Sequence, residues 1–106
     1  MNLEKIVDMV NLDSLDTGIP GYVRISSKYA NHNVPRLRYK VDDEEISVSI
    51  MESPKVVAPK ELKGVIPSKF EGIVEWISLN RDFLIEYWNN PNMLTRELLD
   101  KLRKIN

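Results

Sequence analysis

A chain of 106 residues, 42% hydrophobic and 29% charged, carries apolar material for one compact core and too little length for two ordinary domains, so 1–106 reads as a single domain. The absence of cysteine excludes disulfides, thiolate zinc sites and a cysteine nucleophile, and suits a reducing cytoplasm. A net charge of −1 excludes a polycation built to coat nucleic acid or anionic lipid, and with no apolar run approaching about 18 residues neither a signal peptide nor a membrane span is expected.

Leu3, Ile6, Val7 and Val10 fall on one helical face, and Asp13, Ser14, Asp16, Thr17 and Gly18 then break the pattern, so residues 1–18 read as a helical extension ending in a loop. Over residues 21–51 the period changes to two: Val23 and Ile25, then Leu37, Tyr39 and Val41, then Ile46, Val48 and Ile50. The connections between these runs are short and polar, which suits hairpins, so a three-stranded antiparallel meander is expected. Pro54, Pro59, Gly64 and Pro67 make residues 52–67 a connecting arm. Ser68 and Glu71 have the spacing of a capping box, and a long helix over 68–90 is predicted from there. Phe70, Ile73, Val74, Ile77, Leu84 and Trp88 form its stripe, flanked by Trp76, Phe83 and Tyr87. Leu94, Leu98, Leu102 and Ile105 give the seam of a second helix over 92–105. The fold class is α+β: a meander packed against a long helix, with short helices at both ends.

Between positions 17 and 41 stand Arg24, Lys28, Arg36, Arg38 and Lys40, together with His32, and no acid. Strand alternation gathers Arg36, Arg38 and Lys40 on one face beside Arg24 and Lys28, with Ser47 and Ser49 on the third strand. Guanidinium groups on a sheet grip phosphate or carboxylate bidentately, which points to RNA or an acidic protein; the plainer reading is a solvated face. His32, the only histidine, is a weak candidate for proton transfer, and with no second His or Cys it makes no zinc site; no metal or cofactor is expected. The acids of Asp42, Asp43, Glu44 and Glu45 read as turn chemistry. Asn80 and Arg81 fall within the apolar arc of the long helix, where Arg81 needs a carboxylate or a covered surface.

His32-Asn33-Val34-Pro35-Arg36-Leu37-Arg38, then Gly64-Val65-Ile66-Pro67, then Trp76, Ile77, Asn80, Leu84 and Trp88 follow a recurring order. In that order and spacing the chain resembles a bacterial family known as domain of unknown function 4160, whose pattern is His-Asn-Pro-Pro-His-x-His, a hairpin, Gly-x-Leu-Pro and a Trp-containing helix. The likeness covers about two thirds of the chain. Two family histidines are replaced by Arg36 and Arg38, so only His32 carries over. The resemblance implies a small bacterial protein encoded beside its partner, in the manner of a toxin–antitoxin pair, and brings no established chemistry.

Two functional expectations follow from these residues. One is a non-enzymatic module that holds a protein partner through the basic sheet face and helical surfaces; the other is an RNA-binding or RNA-cleaving protein with Arg36, Arg38 and His32 at the site. The amphipathic ends can close the core or join two copies.

Overall fold

The computed structural model describes residues 9–26, 35–90 and 92–106. Five strands, β1 (Met9–Leu12), β2 (Tyr22–Ser26), β3 (Arg36–Val41), β4 (Glu44–Ser49) and β5 (Val56–Ala58), form one antiparallel sheet in sequence order. Among the described residues three α-helices accompany it: a single turn α1 (Ser14–Thr17), the long α2 (Gly72–Asn89) and α3 (Thr95–Lys101). The class is α+β with an antiparallel sheet and a long helix, as the periodicities imply, but the sheet has five strands where the sequence suggested three.

Both additional strands are short edges. Val10, placed by its spacing at the end of a helix, lies instead in β1, paired with Ile25, while Leu12 pairs with Val23. The two-residue alternation of Val10, Asn11 and Leu12 fits a strand, and the cross-strand partners decide the matter; Leu3, Ile6 and Val7 lie outside the described residues. Asp13 then caps α1, its carboxylate accepting from the Leu15 and Asp16 amides while Asp16 reaches back to the Asp13 amide, which turns an expected loop into one helical turn. Strand β5 occupies part of the arm between Pro54 and Pro59; a proline is tolerated beside an edge strand, and three residues fit between the two.

The long helix also starts differently. Residues Ser68–Phe70 form a 3-10 turn, and α2 begins at Gly72. The extended residue before the helical run is Pro67 (φ −59°, ψ 151°), whose side chain makes no cap hydrogen bond, and Ser68 is already the first residue of the 3-10 turn, so the expected Ser68–Glu71 capping box does not form. At its far end α3 stops at Lys101, and the seam expected to continue to Ile105 becomes an extended strap, residues 102–106.

One core joins these parts. Val23, Ile25, Leu37, Tyr39, Ile46 and Val48 from the sheet, with Ile50 just past β4, are buried together with Phe70, Ile73, Trp76, Ile77, Leu84 and Tyr87. The Tyr39 and Phe70 rings meet edge to face, centroids 5.8 Å apart, tying the middle strand to the turn before α2. Gly21 (φ +85°) lets β2 begin hard against β3: a Cβ there would lie 2.1 Å from the Lys40 carbonyl oxygen. Between β3 and β4 the two-residue turn holds Asp42 at φ +56°, a conformation Asp tolerates better than most residues.

Candidate anion-binding face

Alternation along three strands creates a second sheet surface. In β3, Leu37 and Tyr39 are buried while Arg38 and Lys40 are exposed; in β2, Val23 and Ile25 are buried while Tyr22 and Arg24 are exposed. Register then assembles the exposed residues into rows. One row runs Asn11, Arg24, Arg38, Ser47 from β1 to β4, and the next runs Tyr22, Lys40, Glu45.

Arg24 and Arg38 are therefore directly opposite across the β2–β3 ladder. Side chains so placed have Cβ atoms about 5 Å apart, and like charges there oppose the pairing. Arg24 Nε donates to Asn11 Oδ1 at 3.0 Å, which fixes the base of one guanidinium without neutralising it. Among the described residues the ion pairs use other cations: Lys69 with Glu44 at 2.8 Å and Asp42 at 3.7 Å, Arg81 with Asp82 at 4.0 Å, and Lys101 with Glu86 at 3.2 Å. Arg24, Arg38 and Lys40 thus present positive charge that no described acid neutralises in contact. Asn11, Tyr22, Arg24, Lys40 and Glu45 line a shallow concavity of about 200 Å³ on this surface.

The predicted site residues divide accordingly. The structure brings together Arg24, Arg38 and Lys40, with Arg36 half-buried at the end of β3, where it pairs with Ser49. Ser49, expected on the open face, is buried: its hydroxyl accepts from the Lys55 amide at 3.0 Å because the segment leading to β5 folds over it. His32 and Lys28 lie outside the described residues. The hairpin acids Asp42 and Glu44 serve Lys69, and the Glu44 hydrogen bond holds that ammonium pKa above its ordinary value. Among the described residues no three His, Asp or Glu side chains cluster closely enough to hold a metal ion.

Sequence reading missed Tyr22, Asn11 and Glu45 as members of the face. Tyr22 was available from its two-residue spacing to Arg24, and Glu45 from the hairpin that sets it opposite Lys40. Asn11 was hidden because β1 was not recognised as a strand.

Asn80 and Arg81 belong elsewhere. Arg81 is half-exposed and near Asp82 on its own helix, whereas Asn80 is buried and spends its amide on backbone. No helix of the described residues is long and apolar enough to cross a membrane. The chain matches no protein-family model, no curated protein and no solved structure, so the face is interpreted from its own residues.

Proposed function

We propose that this protein is a non-catalytic binding module whose open sheet face holds an acidic segment of a protein partner. The observation that carries the reading is the direct opposition of the exposed Arg24 and Arg38, with Lys40 beside them. Two cations held across a ladder cost stability in the free protein, and a carboxylate-rich partner removes that cost by seating between them. Resemblance to the family of domain of unknown function 4160 adds the context: a partner encoded nearby, in an arrangement of toxin–antitoxin type, within a bacterial cytoplasm.

A second reading, single-stranded RNA, is favoured by Tyr22, which is 61% exposed on the same face and next to Lys40. An exposed aromatic among cations is the usual platform for stacking a base while the cations hold phosphate. In this reading His32 is the candidate for moving a proton.

The test is an Arg38→Glu, Lys40→Glu double variant, compared with wild type for binding to the product of the adjacent gene, to polyglutamate and to a single-stranded oligouridylate across a salt series. Acidic-protein recognition predicts slowed association and lost pairing with the protein and polyglutamate arms. RNA recognition predicts loss of the oligouridylate arm, with each neutralised phosphate adding roughly 0.7 to the salt slope. A folded double variant that binds every probe as wild type does makes the face a solvated surface.

A further inference from the structure

The end of the described chain is held by a device unlike ordinary core packing. Asn80, at the middle of α2, is 0% exposed and all its amide hydrogen bonds go to main chain. Its Nδ2 donates to the Trp76 carbonyl at 3.0 Å and to the Arg103 carbonyl at 2.8 Å, and its Oδ1 accepts from the Arg103 amide at 2.6 Å. Two positions on, the Ile105 amide donates to the Thr17 carbonyl at 2.8 Å. Gly18, at φ +80°, leaves room for this approach: a Cβ there would lie 1.9 Å from the Ile105 carbonyl oxygen. The cleft between α1 and α2 thus reads an extended backbone at alternate residues, as a strand reads its neighbour.

Of the strap's side chains, only two pack against the core. Leu102 and Ile105, three positions apart, are half-buried against the core, while Arg103, Lys104 and Asn106 are exposed. A site that takes main chain from a buried amide and two aliphatic side chains from the ligand is tolerant of the residues between them. For the cleft to accept another segment, these residues have to leave it without global unfolding.

We propose that this cleft is a receptor for an extended peptide with aliphatic residues three positions apart, filled in cis by residues 102–106 and open to a partner segment of the same pattern when the strap leaves. The occupant seen in the cleft is the argument for the ligand class: backbone-reading by Asn80 and Thr17, the relief at Gly18, and the Leu102–Ile105 spacing define what fits. Tethering gives the strap a large effective concentration, so a free peptide competes poorly against it until it is disabled.

Arg103→Pro disables it in the full chain, since proline removes the N–H that Asn80 accepts from and puts its ring where Oδ1 sits at 2.6 Å. The probe is a fluorescein-labelled peptide with the sequence of residues 101–106, followed by anisotropy. The expected result is binding to the Arg103→Pro variant at least about tenfold tighter than to wild type. That binding should disappear when Asn80→Leu is added and when serine replaces both aliphatic positions of the peptide. A cooperatively folding Arg103→Pro variant with no gain in peptide binding overturns the proposal. Amide hydrogen exchange on wild type is the independent measurement: Arg103 and Ile105 should exchange at least about a hundredfold faster than Leu84. Equal rates make the strap part of the global fold and overturn the proposal, as does a concentration-dependent wild-type dimer built by exchanged straps, which would assign the cleft to a second copy.

Discussion

Val23, Ile25, Leu37 and Tyr39 point to the helix-covered side of the sheet, and Tyr22, Arg24, Arg38 and Lys40, each one residue away on the same strands, point to the other. The covered side is closed by α2 and the 3-10 turn before it; the open side carries two opposed arginines and an exposed tyrosine. The difference teaches that one backbone serves two demands. Buried alternate residues pack densely, and their loss leaves a cavity; exposed alternate residues contribute little to packing and are free to hold charge arrangements that do not favour folding.

The contrast is broken most severely from the covered side. Leu37→Ala or Ile77→Ala should cost about 2–5 kcal/mol, because both side chains are fully buried between sheet and helix and their removal leaves a void; urea unfolding measures the loss. A cost below about 1 kcal/mol at both positions would show that the core closes without them.

Tyr39 probes the border between the two demands, since its ring is buried and its hydroxyl donates to the Pro20 carbonyl where the chain enters β2. Tyr39→Phe should cost about 0.5–1.5 kcal/mol at neutral pH through that hydrogen bond. Burial raises the Tyr39 phenol above its ordinary pKa, so the folded state favours the neutral form. That contribution is fully present below about pH 10 and is lost as pH rises through the folded-state value. Wild type and variant should therefore converge at alkaline pH when their stabilities are measured across a pH series; curves that stay parallel above pH 10 contradict the assignment.

From the open side the expected effect is smallest and has the opposite sign. Arg24→Glu sets a carboxylate across from Arg38 and should stabilise the fold by about 0.2–1 kcal/mol, while weakening binding of polyglutamate. Gain of stability with loss of binding, read by unfolding and titration of the same sample, is the signature of a functional charge pair. A loss of both would mean that Arg24, through its hydrogen bond to Asn11, is chiefly a structural residue.

Amphipathic period by itself determined much of this protein. The two-residue alternation of Leu37, Tyr39 and Val41 and of Ile46 and Val48 defines β3 and β4, and the helical stripe of Ile73, Ile77, Leu84 and Trp88 defines α2, because each pattern is long enough to have only one face to bury. The same alternation put Arg24, Arg38 and Lys40 together. Tertiary structure alone decided the short pieces. Residues Met9–Leu12 and Val56–Ala58 are too brief for a period to declare itself, and they are strands because β2 and β4 offer them hydrogen-bonding edges. Ser49 is covered by a loop whose path no local pattern states. The leucine seam of the last helix ends at Lys101 although its spacing runs on to Ile105, because Asn80 and Thr17, distant in sequence, take the backbone groups of Arg103 and Ile105. Local propensity sets which shapes a segment can adopt, and where two are close in free energy, a partner from elsewhere in the chain chooses between them.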